Sequence, residues 1–320
     1  MLRAIVGKNG GDFNTVQAAI DALPPSGGDI LINSGRYEEK IRIEKDNVTL
    51  IGINRQTILT YGDGAAKLLP SGEAYGTFRT PSVYIAANNF TARNIVFENS
   101  AGPGKLAGQA LAIFTNGDKH AYYGCTFLGH QDTIFTAPKP PKKIDGSSFE
   151  DEHALANPPA AYRVYFKNCF VQGDVDFIFG GATAYFDRCE IFSSRRDSDP
   201  SGYITAASTP EGQAWGYVFN QCCLTSDCAP ETVYLGRPWR DHAHTAFINC
   251  YMGAHIKKEG WHNWNKPEAE KTARYEEFGS TGPGGDTHGR ADWSKILTAQ
   301  EAEKYTVENV LGTWCNISTV

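Results

Sequence analysis

Leucine leads the composition of most globular proteins, yet this chain of 320 residues holds only 15, with 2 methionines. That shortage removes the usual stock of helix formers and argues against a helical bundle. No run of 18 or more apolar residues occurs, which excludes a membrane-spanning helix and makes a membrane partner unexpected. Charge of one sign is not concentrated either. The 30 basic and 36 acidic residues give a net charge of -6 and a pI near 5.8, without the basic footprint that nucleic-acid binding needs. The 8 cysteines fall below disulfide-scaffold density, and no Cys-x-x-Cys pair of the zinc-binding kind is present. The opening Met1-Leu2-Arg3-Ala4-Ile5-Val6-Gly7 lacks the apolar core of a signal peptide, which leaves cytoplasmic residence or prior removal of a signal.

What is abundant is glycine (33) and aromatic side chains (17 Phe, 15 Tyr, 6 Trp), the stock of turns and strands. Phe13, Val16, Ala19, Ile20 and Leu23 repeat at helical spacing and predict one short helix over 14–23, with Asn14 as N-cap and Pro24-Pro25 as the stop. Short strands follow at 30–32, 41–43, 48–51, 82–86, 90–97 and 110–114, with no helical stretch between them long enough for βαβ crossovers. Helical periodicity returns at the end, where Thr298 and Glu301 form a capping box leading into 302–311.

Five times an aromatic stands three positions before a cysteine: Tyr122/Cys125, Phe166/Cys169, Phe186/Cys189, Phe219/Cys222 and Phe247/Cys250, with gaps of 44, 20, 33 and 28 residues between the cysteines. In a straight strand that spacing puts the two side chains on opposite faces, so both point inward only if the chain turns a corner between them. A parallel β-solenoid turns such corners on every coil and tolerates insertions of uneven length. The expected fold is therefore all-β, a parallel β-helix forming one domain over 1–320. The 14–23 helix would cover its open N-terminal end, and 285–320 would form a C-terminal helical and loop extension. The five cysteines read as small apolar residues stacked inside. Cys223, Cys228 and Cys315 fall outside the pattern and leave a bridge open.

Three segments place acids and amides where a packed core alone would not ask for them. Gly108-Gln109-Ala110-Leu111-Ala112 sends a Gln into an apolar strand. Gly129-His130-Gln131-Asp132-Thr133-Ile134-Phe135 carries an amide beside an acid. In Gly173-Asp174-Val175-Asp176-Phe177-Ile178-Phe179-Gly180-Gly181, Asp176 lies inside a hydrophobic strand, costly without a compensating partner. Tyr234-Leu235-Gly236-Arg237-Pro238-Trp239 offers one in Arg237. Singly, each has a structural reading: Gln109 in an amide ladder, Asp132 capping a turn, Asp176 with Arg237 as a buried ion pair, His130 as a neighbour rather than a base.

Taken in order, with Gly35-Arg36-Tyr37-x-Glu39 ahead of them, these motifs resemble the pectin methylesterases (pectinesterases) from about residue 8 to Gly284. The resemblance implies a right-handed parallel β-helix that hydrolyses the C6 methyl ester of galacturonate units in pectin, with no metal or other cofactor. By position it makes Asp176 the nucleophile, Asp132 the general acid and later base, Gln131 the steadier of the oxyanion, and Gln109 a second amide at the site. Arg237 becomes the arginine that holds the nucleophile and Trp239 an aromatic beneath the sugar. Ser82 stands where many members have a Thr in a substrate contact. Relative to plant members, an insertion around 136–160, with Pro138-Lys139-Pro140-Pro141-Lys142-Lys143, is expected to overhang the cleft. The resemblance further implies methyl-esterified homogalacturonan or oligogalacturonides as substrate, a proteinaceous inhibitor as a partner, a monomeric state and an extracellular location.

Those roles agree with elementary chemistry. An ionised carboxylate can attack an ester to form an acyl-enzyme anhydride. Arg237 should depress the pKa of Asp176, whereas Asp132 must hold its proton to protonate departing methanol, so burial or repulsion should raise its pKa. Gln109 and Gln131 are neutral donors suited to an oxyanion. Phe177 and Trp239 could stack on pyranose faces, and Trp261 and Trp264 could extend the cleft or pack in the core. The rivals are a backbone-cutting polygalacturonase or lyase of the same solenoid class, a non-catalytic carbohydrate-binding β-helix, and a thioesterase.

Overall fold

In the computed structural model, which describes residues 3–8, 10–149, 155 and 157–315, the five aromatic-to-cysteine pairs lie one above another. Tyr122, Phe166, Phe186, Phe219 and Phe247 are consecutive partners in parallel strand pairing. Their rings stack at 4.9, 4.4, 4.5 and 4.5 Å with planes within 11° of parallel. That spacing matches the strand repeat of about 4.7–4.9 Å, so identical side chains in register stack without strain. The residue just before each cysteine, Gly124, Asn168, Arg188, Gln221 or Asn249, has φ between 51° and 60°. This left-handed residue is the corner that lets aromatic and cysteine both face inward. Each later thiol donates to the carbonyl of the aromatic one coil earlier, Cys169 to Tyr122, Cys189 to Phe166, Cys222 to Phe186 and Cys250 to Phe219, at 3.3–3.5 Å. All eight cysteines are free, including Cys223, Cys228 and Cys315.

Repeated coils build three parallel sheets of eleven, seven and eight strands among the described residues, and consecutive coils contribute successive strands to each sheet. The fold is a right-handed parallel β-helix. Its interior is a single continuous core running from Ala4 to Tyr275.

The N-terminal helix spans Val16–Ala22 and is capped by Thr15, not Asn14: the Thr15 side chain accepts from the Ala18 amide. Glu39 adds a second cap, its two carboxylate oxygens each accepting a backbone N–H from Val16 and Gln17 at 3.0 Å. Val16, Ala19 and Ile20 seal the first coils, as expected for the plug. At the other end the Thr298/Glu301 capping box forms, but the expected helix is broken in two, Ala299–Ala302 and Val307–Leu311, because Thr306 starts a new N-cap. Leu297, Tyr305, Val310, Leu311 and Cys315 pack on the outer face of the eleven-stranded sheet against Tyr165, Tyr185, Val218, Ala246 and Ile248. The extension is thus a cover for one sheet face, and its last residues, 316–320, lie outside those described. No helix among the described residues is long and apolar enough to cross a membrane.

Candidate active site

The acids, amides and arginine singled out from the sequence lie on or beside the outer face of the seven-stranded sheet. Its strands include Ile113–Thr115, Ile134–Thr136, Val175–Gly180, Gly202–Ala207 and Val233–Gly236. In Val175–Gly180 the register against the next strand slips between Val175 and Ile178, and Asp176 has φ 49°. Such a bulge breaks the alternation of faces. Phe177 and Ile178 both enter the core, while Asp176 turns outward and Phe179 joins the outer aromatic layer. Phe177 is therefore a core residue rather than a sugar platform, which corrects its expected role. Ser82 is also corrected: fully buried, its hydroxyl donates to the Glu98 carbonyl at 2.7 Å and accepts the Tyr61 N–H at 3.1 Å. The short hydroxyl is used up tying neighbouring coils together.

The other expected residues converge. Gln109, Gln131, Asp132, Asp176, Arg237 and Trp239 line one cavity of about 280 Å³. Asp132 also sits at positive φ, 64°, and its backbone N–H donates to the Val175 carbonyl at 3.0 Å, fixing it beside the strand that carries Asp176. The Ala110 N–H donates to the Gln131 carbonyl at 3.1 Å, which places the two amide residues on adjacent coils. Gly104 leaves the room that the Gln131 side chain occupies: a Cβ there would lie 2.8 Å from its Oε1. Arg237 grips Asp176 with two parallel bonds, Nε to Oδ1 at 2.8 Å and Nη2 to Oδ2 at 2.6 Å. Its guanidinium is sandwiched between the rings of Tyr203 and Trp264, 3.8 and 3.7 Å from their centroids. Of the two tryptophans left open, Trp264 lines the pocket and Trp261 is core, stacked on Tyr275 at 4.2 Å. Tyr203 was not legible from sequence, since nothing marks one tyrosine among 15 as an arginine platform.

Electrostatics separates the two acids. Burial raises the Asp132 carboxyl well above its ordinary range, and the charge of Asp176 adds to it against an opposing pull from Arg237. Asp176 departs from expectation: burial outweighs the Arg237 bonds, so its carboxyl also sits above the ordinary range rather than below it. The order still holds. Asp176 has a direct ion pair and Asp132 has none, so Asp132 is raised further and holds its proton to higher pH. His130 lies 3.3 Å from Asp174, a third acid that pushes both carboxyls upward. Among the described residues no group of three or more His, Cys, Asp or Glu side chains is placed to hold a metal ion.

The Pectinesterase family model matches residues 3–139 and 159–313. Pectinesterase 31 of Arabidopsis thaliana is 35% identical over 303 residues, 91% of this chain and 86% of that protein. Among solved structures, pectin methylesterase from carrot superposes with a TM-score of 0.80 at 29% identity, covering 98% of this chain and 94% of the other. A pectin methylesterase in complex with a hexasaccharide superposes with a TM-score of 0.78 at 26% identity, over 97% of each chain. The chain, matched along almost its whole length, belongs to the pectinesterase family.

Proposed function

We propose that Asp176, Asp132, Gln131, Gln109 and Arg237 carry the pectin methylesterase activity of this family by a double displacement. The enzyme is a carboxylic ester hydrolase acting on methyl-esterified pectin. Asp176 attacks the C6 carbonyl carbon while the amide N–H groups of Gln109 and Gln131 receive the developing oxyanion. Asp132 gives its proton to the departing methoxy oxygen, releasing methanol and leaving an anhydride on Asp176. Ionised Asp132 then takes a proton from water, whose oxygen opens the anhydride to free galacturonate and restores Asp176. Trp239, at the pocket wall, supplies an apolar face for the sugar.

The observation that supports these roles best is the bidentate Asp176–Arg237 pair, whose side chains are only 8% and 15% exposed, beside an acid raised well above its normal range. A purely structural ion pair gives no reason for the second, unpaired acid and two amides in the same cavity. The test is Asp176→Ala: methanol release from methylated pectin is lost while the circular dichroism spectrum stays native, and retained activity would overturn the assignment. An extracellular location, a monomeric state and a proteinaceous inhibitor belong to the same reading and rest on the family likeness.

A further inference from the structure

We propose that residues 138–149, through Phe149, close one side of the catalytic pocket and make this enzyme prefer short methylated oligogalacturonates to the interior of long pectin chains. The inference rests on the esterase reading above. The family model passes from residue 139 to 159, so the segment between them lies outside the family's matched pattern. It does not hang free. The Arg240 Nη2 donates to the Lys142 carbonyl at 2.6 Å while its Nη1 donates to the Trp239 carbonyl at 2.7 Å. The base of the segment packs on the nucleophile strand's end, where a Cβ at Gly181 would lie 2.9 Å from the Pro138 carbonyl oxygen.

So anchored, the segment sets Phe149 between Phe78 and Trp239, edge-on to both, with centroids 5.4 and 6.4 Å apart. Phe78 and Trp239 in turn stand on Phe135 and Phe179 of the sheet. The three rings form a continuous fence rising from the floor of the site. A sugar sandwiched between two rings needs van der Waals contact of about 3.5–4 Å on each face, hence about 7–8 Å between them, and neither gap provides it. Lys139 braces the fence, its ammonium 5.2 Å from the Phe78 ring and 5.7 Å from that of Phe149. Ile144, 64% exposed, stands at the mouth of the same cavity. The cavity's roughly 280 Å³ lies at the small end of ligand sites. An interior segment of a polymer must leave the pocket in two directions. A short oligomer or a chain end needs only one, and the fence shuts the other.

The experiment compares kcat/KM for methanol release from methylated trigalacturonate and from long, highly methylated pectin, for the natural protein, Phe149→Ala and Phe149→Leu. The natural protein is expected to favour the trimer. Phe149→Ala should shift the ratio toward pectin by about tenfold, within the reach of two lost ring contacts, with Phe149→Leu between. A natural protein that favours pectin, or an unchanged ratio in Phe149→Ala, overturns the inference. Absence of methanol from both substrates overturns the esterase reading and this inference with it.

Discussion

Replacing Arg237 separates charge from geometry at the nucleophile. Its fork makes two bonds to Asp176 and its flat faces lie against Tyr203 and Trp264. Lysine keeps the charge, but it reproduces one of the bonds at best and neither flat contact. A charge-assisted bond is worth about 1.5–3 kcal/mol and a cation–ring contact roughly 0.5–2 kcal/mol. Arg237→Lys therefore forfeits about 2.5–7 kcal/mol of positioning, and kcat should fall by about 10²–10³ where about 3–4 kcal/mol of that is felt in the transition state. Alanine removes the charge as well, leaving Asp176 buried and unpaired, a situation that costs about 3–5 kcal/mol.

The pH dependence distinguishes the two variants. The proposed double displacement needs Asp176 ionised and Asp132 protonated, so the acid limb of kcat/KM follows Asp176 and the alkaline limb follows Asp132. Arg237 pulls both carboxyls downward. Its removal lets both rise, so both limbs of Arg237→Ala should move to higher pH. Arg237→Lys should lower the profile while leaving the limbs near their places. The assay is methanol release from methylated pectin across a pH series, with circular dichroism to verify folding. An acid limb in Arg237→Ala that stays put or moves to lower pH would refute the coupling, as would full activity in Arg237→Lys.

Asp132→Asn should cut methanol release by about 10²–10⁴-fold and yet stabilise the protein near neutrality. The folded pKa of Asp132 lies above that of the unfolded chain, about 3.9, so its proton favours folding and stability is lost as pH rises through the raised value. A neutral amide escapes that loss: Tm should exceed the natural protein's at neutral pH, with the gain vanishing in acid. A gain that persists below the unfolded pKa would contradict the argument. Phe186→Ala opens the middle of the aromatic stack, where Phe186 is fully buried and lies 4.4 and 4.5 Å from its neighbours. Urea unfolding should report a loss of about 3–5 kcal/mol, and a change below about 1 kcal/mol would remove the stack from what holds the coils together.

The solenoid was legible because its repeat is a spacing that a straight strand cannot satisfy. Five aromatic-x-x-Cys pairs demanded a corner, and the corner is there as a left-handed residue before each cysteine. The site was legible wherever an unusual residue type broke an apolar pattern, as with Asp176 and Gln109. It failed where type carried no signal. Ser82 resembles a substrate contact by position, but a hydroxyl this short in a tight turn meets backbone first. Asn14 and Thr15 are both good caps, and only the chain's path chooses between them. Phe177 drew its expected role from standing next to Asp176, but adjacent strand residues face opposite sides, so an outward Asp176 sends Phe177 into the core. The pKa of Asp176 departs from expectation because the charge of Arg237 was weighed above the burial that the apolar strand already implied, and burial is the larger effect.

The bulge between Val175 and Ile178 explains how an acid persists in a strand whose six residues are all buried. In regular alternation Asp176 would share its face with one set of neighbours along the whole strand, and turning it outward would turn Ile178 outward too. One left-handed residue breaks this link: Phe177 and Ile178 fill the core in succession, and the carboxylate alone faces Arg237. Left-handed backbone costs a non-glycine residue about 1–2 kcal/mol, with Asp among the more tolerant. Asp132 adopts the same conformation one coil earlier and bonds through its backbone to Val175. The solenoid's ordinary corner device thus recurs at both acids, where it aims side chains instead of turning the chain. The strain it stores is held by the stacked core beneath, so the chemistry of the outer face depends on the rigidity of the inner one.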